Sequence, residues 1–241
     1  MLRAGTALAR HDVILPGEYH NRLPFPAKLA GKTLRLFGGG AKGRQGERLA
    51  TALEKLGPAY IKLGQFLATR PDVFGVETTT DLSRLKDKIP PFPMKGADDA
   101  KRFFPDLSDP FAAASLAQVH RLQTEEGAKA VKILRPKVET LIGRELRAMK
   151  RAARTVERVN VESRRLEPVA FTDTVAASME KELDLRLEAG GADEMRELSF
   201  KAGYFHIPDV DWERSGKRVL TTDWVEGKPL TDPEALDTPG I

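Results

Sequence analysis

One stretch limits the fold of this 241-residue chain more than any other: two β-forming runs, residues 116–122 and 128–134, meet across Gln123-Thr124-Glu125-Glu126-Gly127. Their length and the glycine that closes the connection predict an antiparallel hairpin. Helical patterns flank it on both sides. A hairpin cannot bury its own apolar face, so it must join a small antiparallel sheet covered by helices, which makes the chain α+β.

In residues 47–70, Leu49, Leu53, Leu56, Ile61, Phe66 and Leu67 recur at helical spacing. Gly57-Pro58 predicts the end of one helix and the start of a second, and Arg70-Pro71 stops the second. Short helices are expected over residues 79–86 and 97–104. Between them Ile89-Pro90-Pro91-Phe92-Pro93 reads as an extended strap, because successive prolines lack the N–H a helix needs. After the hairpin, Pro136 opens a long basic helix to about residue 159, and a second long helix is expected from about residue 167 to Gly190-Gly191, which would end or weaken it. Strand patterns return at residues 204–207 and 218–224.

Composition bounds the partners. With 41% apolar residues the chain can build one domain core plus an N-terminal extension, and a net charge of +4 is too small to demand nucleic acid. The charge is uneven: residues 1–45 carry Arg3, Arg10, Arg22, Lys28, Lys32, Arg35, Lys42 and Arg44 against Asp12 and Glu18. Such an arm suits anionic lipid headgroups and suits a solvated tail as well. The chain has no cysteine, which removes disulfides and thiolate metal sites. No apolar run is long enough to span a bilayer, so the expected location is cytoplasmic with membrane association open, and the family resemblance given below makes that association peripheral at the inner membrane.

The chemistry centres on Ala130-Val131-Lys132-Ile133, a lysine in the second hairpin strand. An ammonium held there can meet phosphates if an acid steadies it, although the alternation also suits any half-solvated strand. In Glu182-Leu183-Asp184-Leu185-Arg186-Leu187-Glu188, Asp184 and Glu188 stand one helical turn apart, and Glu188 is the candidate partner of Lys132. A charged outer face of an amphipathic helix reads the same acids differently. Ahead of the hairpin, Ala112, Ala113, Ala114 and Ser115 are small enough for backbone N–H groups to approach a phosphate, and stiffer than glycines. Upstream, Lys62 and Gln65 of Lys62-Leu63-Gly64-Gln65 share one helical face and can reach a common acidic patch.

Four of these motifs, in this order, resemble the UbiB family of atypical protein kinase-like ATPases. They are Lys62-Leu63-Gly64-Gln65 with Thr69-Arg70-Pro71-Asp72, the alanine run followed by Ala117-Gln118-Val119-His120, Glu182 with Asp184, and Val219-Leu220-Thr221-Thr222-Asp223-Trp224-Val225-Glu226-Gly227. The resemblance covers about residues 47–230. It implies a kinase-like N-lobe preceded by a helical K-x-G-Q extension, with boundaries at 1–45 for the basic arm, 46–105 for the extension, 106–230 for the N-lobe and 231–241 for the start of a linker to an absent C-lobe.

It also implies ATP and Mg2+ as cofactors, with Lys132 on the phosphates and Glu188 orienting it. Ala112, Ala113, Ala114 and Ser115 would cover the nucleotide, and Asp223, Trp224, Val225 and Glu226 would meet adenine. Lys62 and Gln65 would face Glu182 and Asp184 in a regulatory contact that blocks protein substrates. The implied role is support of ubiquinone biosynthesis, acting on prenyl-quinone lipids or their enzymes at an anionic membrane. Gly191 stands where the family has asparagine.

Phosphoryl transfer also needs a catalytic-loop aspartate, a metal-binding asparagine and a second metal-binding aspartate, and none is in place here. Asp72-Val73-Phe74-Gly75 and His11-Asp12 come too early in the chain. A truncated form without turnover is therefore expected, with no Mg2+ ligands of its own. Gly43-Arg44-Gln45 fails as a Walker A loop for want of its lysine and hydroxyl. The rival reading is a non-catalytic module that binds a membrane surface or regulates a partner.

Overall fold

Gly57 decides how the N-terminal helices meet. Its φ is +129°, and a Cβ there would collide with the Glu145 carboxylate, which itself accepts a hydrogen bond from Ala59 N at 3.0 Å. Only glycine satisfies both the backbone and the space. The computed structural model describes residues 43–85, 90–94, 97–104, 107, 109–159, 161–203 and 206–227. Helices α1 (Gln45–Leu56) and α2 (Pro58–Ala68) meet at this glycine, as their spacing predicts. Short helices α3 (Pro71–Phe74), α4 (Val76–Leu82) and α5 (Asp98–Phe103) follow. Pro90 to Pro93 are not helical, while Ile89 lies outside the described residues, as does nearly all of the basic arm.

Four strands form one sheet in the order β1-β2-β3-β4: β1 (Pro110–Ala113), β2 (Ala117–Thr124), β3 (Gly127–Leu134) and β4 (Val219–Asp223). β2 and β3 are the expected hairpin, and β3 pairs antiparallel with β4. Helix α6 (Val138–Val159) leads through a 3-10 turn (Glu162–Leu166) to α7 (Pro168–Glu182), and α8 (Leu185–Ala202) comes next. The α+β reading with a small antiparallel sheet and long helices holds.

Two expectations fail. The single long helix over 167–190 is two helices, because the chain leaves helical geometry at Asp184, and α8 then runs through Gly190 and Gly191. Asp184 caps a new helix start, while Gly190 and Gly191, at roughly 1 kcal/mol each, weaken the helix interior without ending it. The strand expected at 204–207 is absent from its described residues, His206 and Ile207; pairing comes later, as a bridge between Val210 and Thr222.

The chain divides into two compact units, one helical and one built on the sheet. The helical unit takes residues up to Phe92, Ala113–Leu116 and Arg135–Leu183. Its core joins Leu53 and Leu56 of α1, Ala59 and Tyr60 of α2, Leu82 of α4, Leu85 and Met149 of α6. Gly64 is a packing residue there, since a Cβ would run into the side chains of Leu53 and Leu85. The sheet unit takes Pro93–Ala112, Ala117–Leu134 and the chain from Asp184 on. Its buried sheet face carries Gln118, His120, Val131, Ile133, Val219 and Thr221. The Gln118 amide and the His120 ring lie 2.9 Å apart inside it, so the polar residues of the 117–120 motif are core residues. Among the described residues no helix is long and apolar enough to cross a membrane.

Replacing Gly57 with alanine should lower stability by about 2 kcal/mol, the order expected for a side chain forced to positive φ, and urea unfolding followed by circular dichroism measures it. A change below about 0.5 kcal/mol would contradict this account of the α1–α2 junction.

A candidate nucleotide site in the sheet unit

Side chains alternate across a strand, so Lys132 shares a face with Val119, Ala130 and Ala128 and not with the buried Val131 and Ile133. Its ammonium donates to both oxygens of Glu188, at 2.8 and 2.7 Å. The two side chains are 34% and 49% exposed, so the pair is worth at most about 1 kcal/mol to stability. What it does fix is the place of the ammonium. With two of its three protons on Glu188, Lys132 keeps a third for another acceptor.

Glu188 reaches Lys132 because of where α8 starts. Asp184 is its N-cap, in extended geometry (φ −127°, ψ 92°), and accepts from Arg186 N at 3.2 Å. The Arg186 guanidinium closes on the same carboxylate at 2.8 and 2.6 Å. Leu185 N donates to Lys217 O at 3.0 Å, tying the first turn to the lead-in of β4. The Arg186 side chain, more than any other group, holds the Asp184 carboxyl down at about 2.

The expected adenine segment continues β4. Trp224 N donates to Ala128 O at 2.9 Å, which extends the β3–β4 ladder and puts Trp224 on the Lys132 face with Thr222 and Leu220. The Trp224 indole N–H is buried and meets no acceptor among the described residues. Val225 and Glu226 are exposed. Asp223 points to the opposite face, where Lys129 donates to it at 2.6 Å and has its own pKa raised by that bond. Lys129 lines a polar hollow with Glu126, Asp211 and Arg214, on the face of the sheet away from Lys132.

The remaining site residues separate. Ala112 is exposed and belongs to the sheet unit, while Ala113, Ala114 and Ser115 count with the helical unit. There the Ala114 carbonyl accepts from Arg135 at 3.0 Å, and Arg135 also donates to Pro90 O at 2.8 Å and stacks on Phe92. This anchor between strap and loop has no local sequence signal. Also within the helical unit, Lys62 forms an ion pair with Glu182. Gln65 is half-buried on the same helix. Asp184, expected with Glu182, is given over to Arg186. The sequence reading also passed over Arg121, whose guanidinium lies 4.8 Å from the Trp224 ring and 3.0 Å from Glu226. Its alternation with Val119 on β2 was the available signal. Among the described residues no cluster suited to a metal ion occurs.

Asp184 gives a pH prediction. Its folded pKa lies below the ordinary 3.8, so its contribution to stability is complete above that pH and is lost as pH falls toward about 2. Carboxyl carbon NMR should find Asp184 titrating near 2, and returning toward 3.8 in Arg186→Ala. An unchanged titration in that variant would remove Arg186 as the cause.

Comparison with known proteins agrees with this geometry. The profile described as "ABC1 atypical kinase-like domain" matches residues 84–241. A "Probable protein kinase UbiB" from Marinobacter nauticus is 36% identical over 208 residues, covering 82% of this chain and 38% of the relative. The protein of the same name from Cellvibrio japonicus is 33% identical over 239 residues, covering 95% and 42%. That from Pseudomonas aeruginosa is 36% identical over 203 residues, covering 80% and 38%. The chain thus spans about two fifths of the length of these relatives. With the strand lysine, the helix glutamate and the profile match falling on the same residues, the chain belongs to the UbiB family of ABC1 atypical kinase-like proteins.

Proposed function

We propose that this protein binds a nucleoside triphosphate, ATP with Mg2+, on the Lys132 face of its sheet, and that as part of a UbiB-type kinase-like ATPase it supports ubiquinone biosynthesis through prenyl-quinone lipids or their enzymes. The observation that carries the reading is the bidentate Lys132–Glu188 pair, which holds an ammonium at a set place with one proton to spare. Three further features fit the nucleotide. Ala128 and Ala130 leave a flat floor beside Lys132, Trp224 brings an indole N–H that meets no acceptor among the described residues, and Glu188 leaves the ammonium exposed enough to meet a phosphate.

When bound, the nucleotide with its Mg2+ supplies the phosphoryl group and the metal charge. Lys132 binds its phosphates, Glu188 orients Lys132, and the backbone beside Trp224 and Val225 receives the base. The Lys62–Glu182 pair supports a fixed place for α2 on α7, in line with the regulatory role the resemblance gives the K-x-G-Q helix.

Isothermal titration with MgATP should show binding by the full chain that is lost in Lys132→Ala and weakened at least tenfold in Glu188→Gln. The catalytic-loop aspartate and the metal-binding residues are not in the 241 residues, so phosphate release should stay at background. Lys132-dependent turnover would refute that second statement, and equal binding by Lys132→Ala the first.

A second reading, a membrane-surface module, rests on one observation. Arg144, Arg147, Arg151, Arg154 and Arg158 form an exposed row on α6, opposite the buried Ile142, Met149 and Ala153. None of the five is in an ion pair among the described residues. Beyond the row, exposed Val161 and Leu166 bracket Arg164 and Arg165, a basic and apolar end suited to a bilayer interface more than to phosphodiesters. Flotation with vesicles rich in phosphatidylglycerol should recover the chain at low salt, and the combined Arg147→Glu, Arg151→Glu, Arg154→Glu variant should stay behind. Preference for duplex DNA over those vesicles would reverse the choice.

A further inference from the structure

Arg121 lies where the proposed nucleotide would put its base. In the sheet register Arg121 opposes Ala130, Ala130 opposes Thr222, and Trp224 follows β4 beside Ala128. All of these side chains project from the Lys132 face. Neighbouring strands are about 4.8 Å apart, so β2 and β4 are roughly 10 Å apart with β3 between them. Yet the Arg121 guanidinium stacks 4.8 Å from the Trp224 ring centroid. The two side chains therefore meet above β3, which on this face and at this level offers only the methyl groups of Ala128 and Ala130, with Phe111 of β1 against the same indole.

The guanidinium is held at its far end. Glu226 meets it at 3.0 Å, and Phe111 backs the indole edge-on, with ring centroids 4.8 Å apart and planes at 88°. A planar cation, an aromatic face and a carboxylate thus form a closed stack over the alanine floor. Its parts come from three strand segments that the fold brings together, all in the sheet unit.

We propose that Arg121 is a built-in competitor for the nucleobase: stacked on Trp224 and held by Glu226, it occupies the alanine floor beside Lys132 and must swing out before a purine can lie there. This rests on the nucleotide reading given above and adds its regulation. The physical reason is exclusion. A guanidinium and a purine are both flat and both stack on the indole, and the floor of two alanines has room for one of them. Binding is then weakened by the fraction of molecules in which the floor is covered. The stack on Trp224 and the ion pair with the exposed Glu226 are each modest, so a ligand that also gains Lys132 outcompetes them.

The test is MgATP titration of the full chain in a Trp212→Phe background, where Trp224 is the remaining indole of the two in the sequence. Arg121→Ala should bind about fivefold tighter than its parent, and Glu226→Gln, which removes the ion pair but keeps the guanidinium, should fall between them. Both changes are at exposed side chains, and quenching of Trp224 by nucleotide reports the location. Adding Lys132→Ala to Arg121→Ala should abolish binding. Equal or weaker binding by Arg121→Ala would overturn the competitor while leaving the nucleotide reading intact. Tight binding that survives loss of Lys132 would overturn it too, by placing the ligand elsewhere. Binding by none of these chains would remove both readings.

Discussion

The position of one helix start governs the site. A helix turns about 100° per residue, so a shift of a single residue in the start of α8 would rotate Glu188 away from β3. Asp184 prevents that. Its carboxylate takes the Arg186 backbone N–H and the Arg186 guanidinium together, and Leu185 N is tied to Lys217 O just before β4. Cap, strand lead-in and helix phase are thereby one unit, and the ammonium of Lys132 is steadied by a local capping event several residues away.

The sheet performs a complementary sorting. Because its side chains alternate, one face takes the fully buried Val131, Ile133 and His120, and the other takes Lys132, Ala130 and Trp224. Burial of the first face makes any register slip costly, since a slip by one residue would send Lys132 inward. The chemistry on the open face is therefore held in register by the packing of the closed one. Lys129 shows the same division from the other side: its bond to Asp223 raises its pKa on the face opposite Lys132.

Small residues recur wherever something must come close. Gly57 lets the Glu145 carboxylate reach the first turn of α2, and Gly64, within the Lys62-Leu63-Gly64-Gln65 motif, lets that helix settle against Leu53 and Leu85. Ala128 and Ala130 leave the floor over which Arg121 and Trp224 meet. In each case the missing volume is filled by a particular neighbour, which ties the local sequence to the tertiary arrangement.

The hairpin, the α1–α2 break at Gly57-Pro58, the long basic helix and the strand carrying Lys132 were legible in the sequence, because each depends on local periodicity and on glycine or proline. The pairing of Lys132 with Glu188 was legible as well, through a resemblance borne on ordered motifs. The end of α7 was not, because two glycines are a visible breaker whereas a capping carboxylate competes unseen until Arg186 and Lys217 are in place. Nor were the Arg135 anchor and the Arg121 stack, whose partners stand 21 and 45 residues away in the first case and on the far side of β3 in the second. The sequence by itself settled which elements form and which residue types carry charge; tertiary structure alone decided which charges meet, since an ion pair or a stack depends on distances that only the assembled sheet and helices set.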